Sequence, residues 1–195
     1  MLSEIAEDWL QFAIAACRDI DAPSEIVWAA INDFESFPAI FPEVTAVEYL
    51  EESKAGESLR VGSKRRVHRR NGKGQELYGD WVVTELSIEA SSDSTSSSKY
   101  KLTLFSNDLA MGMTASTTWI VEPIESDDVE CSRVTITLAI VPNKFAVVVG
   151  RLTCCCLLQR LALSATERDL DGLENYCILR ADAEIFEFTG KENVS

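Results

Sequence analysis

The sequence predicts an α+β fold in which a curved antiparallel sheet of about seven strands wraps a long C-terminal helix, with short helices after the first strand. Three observations lead there. Segments of alternating apolar and polar residues follow one another with only turn-rich pieces between them. A helix entry at Asp21-Ala22-Pro23-Ser24 interrupts the strands near the start. The last part of the chain changes to the i, i+3, i+7 rhythm of an amphipathic helix.

From Leu10 to Ile20 the even positions Leu10, Phe12, Ile14, Ala16 and Ile20 are apolar, broken only by Arg18, which is the period of a half-buried strand. After Pro23, Val27, Ala30, Ile31 and Phe34 fall on one helical face. Asn32-Asp33 offers a second cap, and Phe34, Phe37, Pro38, Phe41 and Pro42 make a short, proline-broken turn of helix. Strands are then expected over Val44 to Glu51, Leu59 to Arg70, Glu76 to Ile88, Lys99 to Ser106, Thr114 to Pro123 and Arg133 to Val141. Leu59, Val61 and Val67, then Tyr100, Leu102 and Leu104, then Val134, Ile136, Leu138 and Ile140 alternate with polar residues, so one face of this meander is inward and the other wet.

A half-buried sheet needs a cover, and Leu163, Thr166, Leu170, Leu173 and Cys177 supply one face of a helix. Upstream of it, Phe145 to Leu158 is apolar almost all round, as suits a helix laid in the concavity of a sheet. Ser91 to Ser98 has almost no apolar content and reads as a solvated hairpin loop. With 195 residues and no linker, the chain is expected to form a single domain, 1–195, with its core over about 11–178 and a tail over 180–195.

Charge and motifs exclude several functions. A net charge of −14 opposes a phosphate backbone, so no nucleic-acid partner is expected. The start, MLSEIAEDWLQF, has acids where a signal peptide needs a basic segment, and a cytoplasmic location is expected. Phe145 to Leu163 approaches the length of a membrane span but contains Arg151, Gln159 and Arg160, so membrane contact is at most transient. The cysteines, Cys17, Cys131, Cys177 and the run Cys154-Cys155-Cys156, lie in apolar or periodic segments and read as buried free thiols. His68 is the sole histidine, and adjacent helical cysteines point about 100° apart, so no metal site and no cofactor are expected. Gly72 and Gly74 occupy a hairpin turn and offer no phosphate cradle, whereas Gly112 between Met111 and Met113 could hinge a lid.

Two stretches carry a family resemblance: Ile20-Asp21-Ala22-Pro23-Ser24-Glu25-Ile26-Val27-Trp28, and Asp33-Phe34-Glu35-Ser36-Phe37-Pro38 through Pro42-Glu43-Val44. So do Val61-Gly62-Ser63-Lys64-Arg65-Arg66, Thr117-Thr118-Trp119 with Val121-Glu122-Pro123, and Asp169-Leu170-Asp171-Gly172-Leu173. Together they resemble the START-like superfamily, also called SRPBCC, which includes polyketide cyclases and coenzyme-Q-binding proteins. The resemblance runs from about Gln11 to Tyr176 and implies the helix-grip fold, with a cavity between the sheet and the C-terminal helix. It carries over no catalytic residue, because members place different chemistry in the same cavity.

Strand parity and this fold point Arg65, Trp81, Tyr100, Leu102, Thr117, Trp119, Ile136 and Leu138 toward the cavity. Phe145, Val149 and Leu152 would face them from the helix. Such a set is mostly apolar with a few placed polar groups, as small-molecule pockets are, although the same residues could fill an ordinary core. Arg65, between Val61 and Val67, needs a carboxylate or a ligand oxygen, and Asp80 or Glu85 is the structural alternative. The basic run Lys64, Arg65, Arg66, His68, Arg69, Arg70 and Lys73 could meet an anionic surface, or guard a strand edge.

The function expected first is binding or transport of an apolar small molecule, such as a lipid, isoprenoid or quinone. A cyclase or dehydratase would need a cavity acid or tyrosine, for which Tyr78, Asp80, Glu85 and Tyr100 are candidates. The third possibility is an interaction adaptor that uses the acidic surface and tail.

Overall fold

The computed structural model describes residues 12–50, 59–90, 98–109, 113–124, 130–141 and 155–192. The strands are β1 (Phe12–Ile20), β2 (Val44–Tyr49), β3 (Lys64–Arg70), β4 (Glu76–Ala90), β5 (Ser98–Leu109), β6 (Met113–Ile124) and β7 (Cys131–Val141). They form one antiparallel sheet in the order β1-β7-β6-β5-β4-β3-β2. Between β1 and β2 run α1 (Ser24–Asn32), a 3-10 turn (Phe34–Ser36) and α2 (Phe37–Ile40); α3 (Cys155–Glu192) closes the fold.

The local chemistry explains the boundaries. Pro23 is the N-cap residue of α1, where its missing N–H costs nothing. Asp33 ends that helix and starts the next turn, its carboxylate accepting from the Ser36 amide at 3.4 Å and from Ser36 Oγ at 2.6 Å. Strand β3 begins later than the alternation suggests, because Val61-Gly62 forms a turn with Gly62 at φ 91°, a conformation open to glycine. Val61 is consequently 59% exposed rather than inward.

Side-chain parity aligns the central strands, with one break in β4. Across the sheet, Leu86, Leu102, Trp119, Ile136 and Ala16 lie in one register row, and Ile88, Tyr100, Val121, Val134 and Arg18 in the next. In β4 the register shifts between Val83 and Glu85. Thr84 is the extra residue, so inward positions change from odd (Gly79, Trp81, Val83) to even (Leu86, Ile88), and Glu85 turns to the wet face.

α3 packs on β1, α1 and α2 with Thr166, Leu170, Leu173 and Cys177 buried. Burying a leucine of this kind contributes about 2 kcal/mol. Gly172 lies directly against the Ile40 carbonyl oxygen, an approach that leaves no room for a Cβ. Arg18, the break in the β1 pattern, faces α3 and binds Asp171 at 2.6 Å and Glu174 at 2.7 Å.

The basic run does not guard an edge, since β3 sits between β2 and β4 and the edge strands are β1 and β2. Arg66, His68, Arg69 and Arg70 each meet an acid instead. Arg66 makes two bonds to Asp80 at 2.7 and 2.9 Å, Arg70 meets Glu76, and His68 Nε2 lies 3.2 Å from Glu48. Arg69 reaches across to Asp169 of α3 at 2.9 Å. Cys177 is buried as expected, but Cys17 is exposed and Cys131 half-buried, because odd positions of β1 face outward.

Candidate functional site

A concavity bounded by described residues lies between α1, the 3-10 turn and the β2–β4 side of the sheet. Its volume is about 510 Å³. Trp28, Phe34, Tyr49, Leu59, Leu86 and Ile88 form its apolar surface, and Asn32, Asp33 and Glu35 its polar side. Leu86 and Ile88 reach it only through the extra residue in β4. A smaller depression of about 430 Å³ crosses β1 and β7, where Arg133 and Asp19 form a two-bond ion pair at 2.7 and 2.8 Å.

Arg65 lies immediately behind the groove. It is 2% exposed, and its guanidinium carbon sits 3.9 Å from the Tyr49 ring centroid and 5.9 Å from that of Phe34. Tyr49 and Trp81 are its cross-strand neighbours, and Nη1 donates to the Lys64 carbonyl at 2.9 Å. Neither acid expected beside it takes that place: Asp80 binds Arg66, and Glu85 binds Lys101. Both acids lie on the outer face, where those partners' hydrogen bonds hold their carboxyls below the usual range.

Two tyrosines couple the groove to the core. Tyr49 Oη lies 3.3 Å from Glu35, and Tyr100 Oη lies 3.3 Å from Glu25. Burial first, and the neighbouring carboxylate second, push both phenols above their ordinary value. Tyr100 also stacks on Trp28 with centroids 4.9 Å apart.

Of the expected site residues, Tyr100, Leu102, Trp119 and Ile136 join one buried cluster. Trp119 meets Phe41 at 6.0 Å. Trp81, Thr117 and Leu138 are half-buried on the same face. Phe145, Val149 and Leu152 lie outside the described residues, as do Gly112 and Cys154. None of these residues lines the groove, so its walls escaped the strand-parity argument: α1 and the 3-10 turn supply half of them. The available signal was Trp28, Phe34 and Glu35, three large or charged side chains around the Asp33 cap.

Among the described residues no cluster of three or more His, Cys, Asp or Glu side chains could hold a metal ion. No described helix is long and apolar enough to cross a membrane.

A curved antiparallel sheet closed by one long helix, with two short helices after the first strand, is the helix-grip architecture of START-like proteins. The family model for polyketide cyclase / dehydrase and lipid transport matches residues 11–175, and the chain belongs to that family. Among solved structures it is similar to a START superfamily protein from Mycobacterium smegmatis, at 15% identity and TM-score 0.60, covering 86% of this chain and 97% of that one. It is similar to the ZhuI aromatase/cyclase from Streptomyces sp. R1128 at 17% identity and TM-score 0.63, covering 87% and 95%. A hypothetical protein from Helicobacter pylori aligns at 12% identity and TM-score 0.63, covering 85% and 88%. At these identities the likeness concerns the fold. No curated protein sequence matches.

Proposed function

We propose that this protein binds an apolar small molecule of the lipid, isoprenoid or quinone class, and that the groove between α1 and the β2–β4 side of the sheet is where the ligand enters. The observation that carries this reading is the groove itself: about 510 Å³, walled by Trp28, Phe34, Tyr49, Leu59, Leu86 and Ile88, with polar groups confined to one side. Ile88 is 61% exposed there, an apolar surface that a ligand would cover. The inward set Arg65, Trp81, Tyr100, Thr117, Trp119 and Leu138 would form the deeper lining. Membership of a family described by lipid transport supports the reading.

The test is mass spectrometry of an organic extract of protein purified without delipidation, together with thermal shifts of the stripped protein. A retained apolar compound that raises the melting temperature is expected, as mass action requires of any ligand selective for the native state. Stripped protein whose melting temperature responds to no lipid, isoprenoid or quinone would sink the proposal.

A second reading, proton transfer on a polyketide-like substrate, has one observation of its own. Of Tyr78, Asp80, Glu85 and Tyr100, only Tyr100 lies on the inner face, where it pairs with Glu25 beside a groove-lining tryptophan. Loss of turnover but not of binding in Tyr100→Phe would favour it.

A further inference from the structure

The groove's polar side has a chemistry of its own, and that chemistry selects among apolar ligands. Among the described residues its lining contains Asp33 and Glu35 and no lysine or arginine. Arg65, which contacts the rings of the lining residues Tyr49 and Phe34, is shut behind the Tyr49 ring. Asn32 uses its amide to donate to the Trp28 carbonyl at 2.8 Å, which leaves its side-chain oxygen as an acceptor. Ionised carboxylates accept only, so this side of the groove offers acceptors and almost no donors.

An anionic headgroup placed here would meet like charge in a partly desolvated site, on a chain that already carries −14. A ketone or quinone oxygen would lose its water hydrogen bonds and, with the Tyr49 hydroxyl turned to Glu35 and Asn32 to Trp28, find few donors in return. A hydroxyl or an ammonium would find two carboxylates and an amide oxygen able to accept its hydrogen bonds. Tyr49 is the internal precedent, since its own hydroxyl lies 3.3 Å from Glu35. The field at that phenol agrees: after burial, Glu35 acts on it more strongly than the Arg65 guanidinium it stacks on.

We propose that the groove selects an apolar molecule bearing a hydrogen-bond donor, a hydroxyl or an ammonium group, and rejects the corresponding carboxylates and phosphates. This rests on the binding function proposed above and names the chemical class of its ligand. The reduced, hydroxyl-bearing form of a quinone would accordingly be held in preference to the oxidised form.

The experiment is displacement of the neutral fluorophore N-phenyl-1-naphthylamine by compounds of one carbon skeleton: farnesol, its methyl ether, farnesylamine and farnesoic acid, at pH 7.5. Farnesol is expected to displace the dye at about one-tenth the concentration needed for farnesoate, the scale of one charge repulsion in a half-wet site. The ether should fall between them. Glu35→Gln should narrow the gap between alcohol and acid, and Ile88→Lys, at an exposed wall position, should narrow it further by bringing in a cation; circular dichroism checks that both fold.

Farnesoate equal to or tighter than farnesol, or farnesylamine no tighter than farnesoate, overturns the selection for a non-anionic donor while leaving the binding function intact. An ether as tight as the alcohol overturns the donor requirement. If the dye binds nowhere and no compound changes the melting temperature, the binding function itself fails, and this inference with it.

Discussion

Gly172 of α3 and Ile40 of α2 meet backbone to backbone: the position a Cβ would take at Gly172 falls on the Ile40 carbonyl oxygen. The short helix and the closing helix are therefore held at a separation only glycine permits. Gly172→Ala should destabilise the fold by about 2–4 kcal/mol, even though alanine favours a helix interior, because neither backbone can give way without moving its helix. Chemical denaturation measures this, and a stabilised Ala variant would show that the two helices slide freely.

Arg65 predicts a separation of charge from shape. Stacking on Tyr49 needs a planar cation, and a desolvated cation–π contact contributes about 2 kcal/mol. Arg65→Lys keeps the charge and should still lose about 1–2 kcal/mol, because an ammonium cannot reproduce the stacked, forked geometry. Urea midpoints of the two proteins at pH 7.5 test it, and equal midpoints would assign Arg65 a purely electrostatic role.

Arg69 and Asp169 tie β3 to α3 at 2.9 Å, with Asp169 the better buried of the two. A double-mutant cycle with Arg69→Met and Asp169→Asn should return a coupling of about 1 kcal/mol, falling in high salt, as partly exposed ion pairs do. Zero coupling at low salt would mean the pair is incidental.

The thiols should divide by face. Burial pushes Cys177 up to about 12, so almost none of it is thiolate at pH 8, whereas Cys17 is exposed. Iodoacetamide on native protein, followed by peptide mapping, should label Cys17 and spare Cys177; labelling of Cys177 at the Cys17 rate would mean that α3 opens readily.

The same burial carries a pH dependence. The pKa of Cys177 in the folded state lies above the ordinary thiol value of 9.0, and those of Tyr49 and Tyr100 above 10.0. Each favours the neutral form when folded, so the associated stability is fully present below the unfolded values and is lost as pH rises through the folded ones. Stability should fall from pH 9 upward, and Cys177→Ala should lessen the fall between 9 and about 12. A pH series of denaturation midpoints with no difference between the two proteins would remove Cys177 from this account.

The fold was legible wherever one residue's neighbours set its face. Tyr100, Leu102 and Trp119 read as inward from period alone, and they are buried. Arg18 looked like a defect in β1, because its partners Asp171 and Glu174 are more than 150 residues away and no local pattern encodes them. Val61 was misread because a turn at Gly62 breaks the strand that its alternation suggests. The groove was illegible for a similar reason: it joins α1 and the 3-10 turn to strands whose register depends on a bulge. Asp80 and Glu85 were sensible partners for Arg65 by distance along the hairpin, but parity puts them on the opposite face, with Arg66 and Lys101.

That bulge makes the groove's chemistry a matter of counting. Straighten the bulge with Thr84 kept in the ladder, and the C-terminal half of β4 would turn over, carrying Glu85 inward and Leu86 and Ile88 out to solvent, with no side chain chemically altered. A greasy wall would become an acidic one. In a family that puts many ligands into one architecture, straightening a bulge in a strand can therefore rewrite what a site accepts faster than any series of substitutions within it.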